Sequence, residues 1–324
     1  MTFKENCIPL ESREEWREAL KGLPHTFGHT WENCYAMHLT TGFKTYLYCF
    51  ESENVRIVCP IAEREYDGYI DILKPFGFSG FAANGDCPDF SHYWKEFVRR
   101  RGYICGYLGV NPIFDYSTPF DPNEIYQYNT IYALDLTPSF DELWANLSMN
   151  RKRQLRDWEN IRSNLAIEKS TLTDFFLSNY VDFFRRKDAA RDYFFSRDTL
   201  SFLFSLDNVL MVGAPNSEKV EAISVFTHTE HVGEYLFNVS LPEGRHHAAG
   251  LLWYGVNYLK SIQIPILNLG GGSDEFKRRF GAKKLPLRCL KQVYEPNIYE
   301  KFCRQVGVDP KDMTGYFPAY RKIV

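Results

Sequence analysis

The sequence predicts an α+β fold made of two copies of one unit, each with three antiparallel strands, then a helix, then a further strand. Three observations lead to this prediction. The chain has 324 residues, of which 44% are hydrophobic, and this length favours two domains with buried cores. Short apolar runs separated by polar turns recur in the same order in both halves. The first run begins at residues 45 and 208, and the run after the main helix begins at residues 102 and 265.

In the first half, Ser12 and Glu15 have the spacing of a capping box and predict a short helix from residue 12. A glycine-rich segment, KPFGFSGFAANGD, connects the third strand to an amphipathic helix, FSHYWKEFVRRRG. Short runs rich in β-branched and aromatic residues predict strands at 45–50, 55–63, 69–73, 102–110 and 128–136.

In the second half, Ser139 and Glu142 have the spacing of a second capping box and predict one long helix over residues 140–162. Another helix follows the loop PEGRHHAAG. The same strand signals predict strands at 208–214, 220–228, 233–241, 265–269 and 285–293. The boundary between the two copies is placed at Thr137, which gives predicted domains over residues 1–137 and 138–324.

Charge and cysteine content restrict the function. The formal net charge is −3 and the sequence pI is about 6.3, so contact with phosphate or nucleic acid must come from a local basic cluster. The N-terminal residues lack the apolar core of a signal peptide, and no run of about 18 apolar residues occurs. The eight cysteines include no CxxC pair. The sequence therefore predicts a cytoplasmic protein with reduced thiols, without a membrane span or a metal site.

The predicted helix over 140–162 carries an arginine on its apolar face. Trp144, Leu147, Leu155 and Trp158 share this face, and Arg151 projects into it. An arginine among apolar turns needs a counter-charge, which an anionic ligand or an acidic residue of the other domain would supply. Three further cations lie outside the apolar face and are interpreted as solvated: Lys152, Arg153 and Arg156.

The loop and helix start at 238–250 form the next candidate site. The spacing of Arg245, Ala248 and Gly250 exposes backbone N–H groups at a helix N-terminus, where a pyrophosphate or an acyl carbonyl can bind. Close packing is the alternative explanation for small residues at such a junction. His246 and His247 are adjacent, so at most one of them is expected to act as a base.

The segment LNLGGGSDEFKRRFGA, residues 267–282, combines three glycines with a basic cluster. It is not a phosphate-binding P-loop, because the GxxxxGK[ST] pattern is absent. The glycines permit a tight turn after a strand. Lys277, Arg278 and Arg279 then fall in the first turns of a helix, where cations oppose the helix dipole. This placement favours a bound anion over a passive basic surface.

The same segment resembles the LGGG…FKxxFG signature of the FemABX-like aminoacyl and acyl transferases, which belong to the wider GNAT acetyltransferase superfamily. Four other segments resemble family motifs in the family's order: KPFGFSGF, SMNRKRQLR, YVDFFRRKDAARDYFFS and LFNVSLPEGRHHAAGLLWY. The resemblance covers almost the whole chain, most firmly residues 126–290. It implies two tandem GNAT-type domains, in agreement with the repeated pattern.

The resemblance also implies an amide-forming transfer. In one branch of the family, an aminoacyl-tRNA donates its aminoacyl group to an amine on a muropeptide precursor. Other branches are described as acetyltransferases acting on sugars or polysaccharide precursors, with acyl-CoA as the donor. Either donor would be a co-substrate, and no tightly bound cofactor is implied. The basic run FKRRFG with Lys283 and Lys284 favours the acceptor end of a charged tRNA.

Residue roles follow from the resemblance and the local patterns together. Lys277 matches the motif lysine and is implied to be catalytic, as a stabiliser of developing negative charge. The predicted donor-binding residues are Ser240, Arg245, His246, Gly250, Phe276 and Arg279. The predicted acceptor-binding residues are Arg151, Arg186, Tyr193 and Asn238. No side chain is an evident general base, and His246 or the ribose hydroxyl of a tRNA is the candidate.

A binding protein that keeps the fold without catalysis is the alternative from another functional class. The short segment between Gly272 and Phe276 favours it, as does Asn238, which stands where many family members have histidine.

Overall fold

A computed structural model describes residues 3–52, 54–162, 165–216 and 218–322. Its contacts divide the chain into unit 1, Met1–Asn129 with Pro286–Val324, and unit 2, Thr130–Leu285. Both units combine helices with a mostly antiparallel sheet, which confirms the predicted α+β class. That the units are two tandem GNAT-type domains stays a prediction.

The first part of the chain forms the sheet and helices of unit 1. The strands follow the order β1-β2-β3-β4-β6, all antiparallel except β4 and β6, and the short β5 pairs with β3. The elements in chain order are β1 (Lys4–Pro9), α1 (Arg13–Leu20), α2 (Trp31–Thr41), β2 (Lys44–Glu51), β3 (Arg56–Tyr66), β4 (Tyr69–Leu73), β5 (Ala82–Ala83), α3 (Phe90–Arg100) and β6 (Tyr103–Val110).

The strands of unit 2 follow the order β7-β11-β10-β9-β8, in which only β10 and β11 are parallel. The next elements are β7 (Ile125–Asp135), α4 (Phe140–Ala145), α5 (Met149–Arg162), α6 (Lys169–Arg186), α7 (Arg197–Ser205), β8 (Val209–Ala214), β9 (Ala222–His228), β10 (Gly233–Ser240), α8 (Ala248–Ser261), β11 (Ile266–Asn268) and α9 (Asp274–Arg278). The chain ends with β12 (Lys283–Val293) and α10 (Pro296–Gln305).

The predicted repeat of elements is confirmed. In unit 1, three antiparallel strands lead to α3 and then to β6, which lies parallel to β4. In unit 2, three antiparallel strands lead to α8 and then to β11, which lies parallel to β10. Each predicted strand is present, with its ends shifted by three residues or fewer.

The division into units differs from the predicted domains in the strand that follows each repeat. β7 follows the first repeat in the chain, and its residues 133–135 pair with β11 in unit 2. β12 follows the second repeat, and its residues 288–293 pair with β6 in unit 1. Local sequence patterns carry no information on such distant pairings. A contact division does not itself test which segments are domains, so the boundary at Thr137 stays a prediction.

The prediction of one continuous helix over residues 140–162 is wrong, because the observed helix is interrupted between α4 and α5. Ser148 starts the second helix: its Oγ accepts a hydrogen bond from the Arg151 backbone N–H at 3.2 Å. Its own N–H donates to the carbonyl of Arg279 at 3.0 Å. A serine that caps a helix favours a new start over continuation. The apolar face is nevertheless confirmed, since Leu155 and Trp158 lie in the unit 2 core.

The two predicted capping boxes have different outcomes. The second is confirmed: Ser139 Oγ accepts from the Glu142 N–H at 3.3 Å, and Glu142 Oε2 accepts from the Ser139 N–H at 2.8 Å. The first is wrong, because Ser12 precedes α1 without a side-chain capping hydrogen bond. Helix α2 was not predicted from the sequence. Thr30 caps its start, and Gly42 ends it in the left-handed conformation, at a φ of 68°.

Replacing Ser139 by alanine is expected to lower the free energy of unfolding by about 1 kcal/mol, because the Glu142 N–H loses its side-chain acceptor. Chemical denaturation measures this change. Ser12→Ala is the matched control and is expected to leave stability almost unchanged. Equal losses in the two variants would show that the capping geometry is not the cause.

The described residues contain no helix that is long and apolar enough to cross a membrane. Within the same residues, no group of three or more His, Cys, Asp or Glu side chains is placed to hold a metal ion. All eight cysteines are free thiols.

Candidate functional site

A cavity of about 410 Å³ lies in unit 2 between α5, the start of α8 and α9. Its size is within the range of small-molecule sites. It brings together residues that lie far apart in the sequence and that were singled out there. Five predicted site residues line it: Arg151, Arg245, His246, Phe276 and Arg279.

Arg151 lies between two aromatic rings in the wall of this cavity. The residue is only 3% exposed. Its guanidinium carbon is 4.5 Å from the ring centre of Phe276 and 4.3 Å from that of Phe280. Nη1 donates to Gln154 Oε1 at 2.7 Å, and Nη2 donates to the Phe276 carbonyl at 3.2 Å. Gln154 and Phe280 were not predicted as site residues. Gln154 lies three residues after Arg151 and Phe280 four residues after Phe276, and these are the spacings at which side chains on a helix meet.

The charge of Arg151 is not balanced by a neighbouring carboxylate. Among the described residues of unit 2, none pairs with this guanidinium within 4.0 Å. Burial, with a smaller contribution from Arg279, lowers the pKa of Arg151 to about 10. Arg279 itself is paired with Glu275. A buried cation without a counter-charge is unfavourable by itself, and an anion bound in the cavity would relieve this.

The start of α8 adds further groups that favour an anion. Arg245 and His246 are exposed in a 3₁₀ turn before the helix, and Ala248 and Ala249 of its first turn line the cavity. The predicted exposure of backbone N–H groups here is wrong for Ala248, because the 3₁₀ turn runs directly into α8 and the Ala248 N–H donates to the Arg245 carbonyl. His246 Nδ1 lies 2.7 Å from the Glu243 carbonyl. Because a carbonyl only accepts, Nδ1 carries the proton and Nε2 remains available to a substrate.

Gly250 lies where α8 packs against Trp158 of α5. A Cβ on Gly250 would lie 2.0 Å from a ring atom of Trp158, so no larger residue fits without a shift of the indole. The close-packing explanation for the small residues at this junction therefore applies to Gly250. A direct donor contact by this residue stays a prediction.

Gly250→Ala is expected to lower the free energy of unfolding by about 1–3 kcal/mol, since the added methyl group overpacks the contact between α8 and α5. Urea denaturation measures the loss. In a Trp158→Leu background the same substitution should be much less destabilising, because the smaller side chain leaves room for the methyl. An unchanged loss in that background would exclude the indole as its cause.

Lys277 lies in α9 and is bound by the glycine turn that precedes it. The residue is 5% exposed, and Nζ donates to the carbonyl of Gly270 at 2.9 Å and to that of Gly271. Gly270 and Gly272 have φ values of 68° and 70°, so the predicted tight turn is present. Burial lowers the pKa of Lys277 to about 8. The catalytic role of this lysine stays a prediction.

The other predicted site residues lie on β10 and at the end of α6. Arg186 Nη2 donates to the Ser240 carbonyl at 3.4 Å, which brings these two together. The Asn238 side-chain amide donates to Ser224 Oγ at 3.2 Å. Tyr193 is 42% exposed. Two contacts cross the predicted groups: Arg151 lines the cavity with predicted donor-binding residues, and Arg186 contacts Ser240. The donor and acceptor roles themselves stay predictions.

The edge of β10 offers backbone groups next to these residues. The parallel pairing of β10 with β11 covers only Gly233 with Leu267 and Glu234 with Asn268. β10 continues to Ser240, and a β-bulge interrupts its other pairing in between. Over residues 235–240, β10 therefore has no pairing with the described residues of β11. Unpaired strand edges bind extended groups through backbone N–H and C=O.

The sequence matches no family model and no curated protein. Several solved structures have a similar fold. FemX matches with a TM-score of 0.67 and 9% identity, over 92% of this chain and 99% of that chain. The C-terminal domain of a putative lysylphosphatidylglycerol synthetase from Agrobacterium fabrum matches with a TM-score of 0.57 and 14% identity, over 90% and 96%. L-PGS from Bacillus licheniformis matches with a TM-score of 0.54 and 12% identity, over 87% and 91%. The resemblance to FemABX-like proteins is thereby confirmed for the fold.

Proposed function

We propose that the protein is an N-acyltransferase that moves an aminoacyl group from an aminoacyl-tRNA to an amine acceptor. One observation carries the proposal: Arg151 is buried without a paired carboxylate in a cavity whose other charged lining residues are Arg245, Arg279 and one carboxylate, Asp157. This cavity would bind phosphate at the 3′ end of the tRNA. The fold shared with FemX and with lysylphosphatidylglycerol synthetases supports acyl transfer.

The reaction forms an amide bond and breaks the ester bond of the donor. With the donor phosphate in the cavity, the acyl carbonyl would lie along the edge of β10, where backbone N–H groups can bind its oxygen. The acceptor nitrogen attacks the carbonyl carbon and loses a proton. The ribose oxygen leaves and gains a proton, so the products are an amide and an uncharged tRNA. His246 Nε2 or the neighbouring ribose hydroxyl moves this proton.

Lys277 would stabilise the negative charge on the tetrahedral intermediate. Its ammonium has three N–H donors, and Gly270 and Gly271 accept two of them. The third donor is left for the oxyanion. The glycine turn thus holds the ammonium in one place before the substrates bind, which is a requirement for electrostatic stabilisation of a transition state.

An acyl-CoA-dependent acetyltransferase acting on an amino sugar is the second candidate. The observation that favours it is the position of the cavity at the start of α8, where the small residues Ala248 and Ala249 would leave space for a pyrophosphate beside Arg245. The carrier of the acyl group is the main difference between the two candidates.

Binding measurements at increasing salt distinguish the two donors. The affinity for a charged tRNA should fall steeply, because each released counterion contributes about −0.7 to −0.9 to the slope of log K against log salt. Acetyl-CoA has few phosphates and should show a shallow slope, with release of free thiol when an amine acceptor such as glucosamine is present. A protein that binds neither charged tRNA nor acetyl-CoA at low salt would contradict the proposal and favour a non-catalytic role.

A further inference from the structure

Unit 1 contains a second cavity, of about 540 Å³, which the proposed acyl transfer does not use. It lies where β1 ends and β2 begins, beside one face of α2. Trp31, Tyr35 and His38 line it from α2, at positions four and three residues apart that share a helix face. Its volume is within the range of small-molecule sites.

Two aromatic rings in this cavity form a fixed stack. The rings of Trp31 and Tyr35 have centres 4.7 Å apart and an interplanar angle of 11°. Trp31 Nε1 donates to the Leu10 carbonyl at 2.7 Å, which fixes the orientation of the indole. The guanidinium carbon of Arg13 lies 4.5 Å from the centre of the Trp31 ring. The stack is therefore ordered before any ligand binds, which lowers the entropy lost on binding.

The lining of the cavity holds two cationic side chains. Arg13 and Lys44 line it with one carboxylate, Glu11. Arg13 also pairs with Glu32 at 3.2 Å, and Arg17 pairs with the same carboxylate at 2.7 Å. Arg17 also pairs with Glu14 at 3.3 Å, so these four side chains together carry no net charge. Lys44 is then the lining cation that no carboxylate of the described residues pairs with. An anionic group would be attracted to this side of the cavity.

Two polar groups complete the lining. His38 Nδ1 lies 2.8 Å from the Phe43 carbonyl, so Nδ1 carries the proton and Nε2 is the remaining hydrogen-bonding atom of the ring. Tyr46 adds a third aromatic side chain with a hydroxyl group. Aromatic faces bind flat or ring-shaped groups, and these polar atoms can bind substituents on such a ring.

We infer that the unit 1 cavity is a binding site for a small phosphorylated ring compound, either a nucleotide or a sugar phosphate. The ring packs against the stack of Trp31 and Tyr35, and the phosphate pairs with Lys44. An apolar ring alone would leave Lys44 without an anion, and phosphate alone would make no contact with the aromatic rings. The inference goes beyond the proposed acyl transfer and depends on other residues, so the two can fail separately.

Isothermal titration calorimetry with four probes tests the inference: AMP, glucose 6-phosphate, adenosine and inorganic phosphate. We expect AMP or glucose 6-phosphate to bind with a Kd below about 1 mM. Adenosine and inorganic phosphate should each bind at least about tenfold more weakly, because each carries half of the recognised groups. Preference for AMP identifies a nucleotide site, and preference for glucose 6-phosphate identifies a sugar phosphate site.

Variants show whether the measured binding occurs in this cavity. Tyr35→Ala and Lys44→Ala should each weaken the preferred probe by about tenfold or more, with thermal melting used to verify the fold. Arg151→Met, which alters the cavity of unit 2, is the matched control and should leave this affinity unchanged. The inference is overturned if no probe binds at concentrations up to about 10 mM. It is also overturned if phosphate alone binds as well as AMP, or if Arg151→Met abolishes binding and Tyr35→Ala does not.

Discussion

Arg151→Met is expected to weaken binding of an anionic donor group by about ten- to a hundredfold while leaving the fold as stable as before, or more stable. A hydrogen bond to a charged group contributes about 1.5–3 kcal/mol, which corresponds to this change in affinity. Methionine keeps a long apolar side chain between Phe276 and Phe280. The variant also removes a buried charge that no neighbouring carboxylate balances, and such replacements are often stabilising.

Calorimetry with pyrophosphate as the probe, together with thermal unfolding, measures both effects. Arg156→Met is the matched control, because Arg156 is an exposed cation on the same helix. It should change the affinity for pyrophosphate far less. An affinity that Arg151→Met leaves unchanged would contradict anion binding. A large loss of stability in that variant would instead assign Arg151 a structural role.

Lys277→Ala is expected to lower the turnover of acyl transfer by about a hundredfold, since loss of one oxyanion donor typically raises the barrier by roughly 3 kcal/mol. The alanine also removes the hydrogen bonds to Gly270 and Gly271, so part of the loss could come from a displaced turn. Lys277→Arg separates the two causes. Arginine keeps the charge at all accessible pH values and can still donate to the glycine carbonyls.

The pH dependence provides the more specific readout. Burial lowers the pKa of Lys277 to about 8, so the ammonium that the mechanism requires loses its proton above that pH. Turnover of the wild-type protein should therefore fall as pH rises through about 8. Lys277→Arg should lose this decline, whatever its absolute rate. A wild-type profile that stays flat from pH 7 to about 9.5 would exclude a role for the charged lysine.

The same pKa has a consequence for stability. Below about pH 8 the lysine is charged in the folded and unfolded chain, and the unfavourable burial of its charge is fully present. Between about pH 8 and the ordinary lysine value near 10.5, the unfolded chain binds more protons, so stability rises with pH. Lys277→Met should lack this contribution. The difference in unfolding free energy between the two proteins, measured by urea at pH 7 and at about 9.5, tests it.

Local patterns predicted much of this molecule. Short strand-like runs located every strand of the repeat, since strand signals depend on neighbouring residues. Helical spacing placed Arg151 on an apolar face, and the residue is buried there. The interruption at Ser148 was missed because a serine inside a helical pattern does not by itself end the helix. β1 was missed because it is rich in polar residues, with Lys4, Glu5 and Asn6 in succession.

The grouping of the site residues depended on distant contacts that the sequence does not encode locally. Arg151 and Phe276 meet although 125 residues separate them. Lys277 follows a glycine turn, as predicted. Its hydrogen bonds to the carbonyls of that turn form because the side chain points back toward the preceding residues, which sequence spacing alone does not show. Gly250 was singled out for its position at a helix start, whereas its contact with Trp158 depends on the packing of two helices.

The pairing of β12 with β6 affects the order in which the protein can mature during synthesis. Residues 130–285 are complete on the ribosome before residues 288–293 emerge, and these later residues form the neighbour of β6. Unit 2 is therefore an insertion within the sequence of unit 1, and the usual N-terminal-first order of folding is reversed for the last strand. A nascent chain ending before residue 286 would carry β6 without this neighbour.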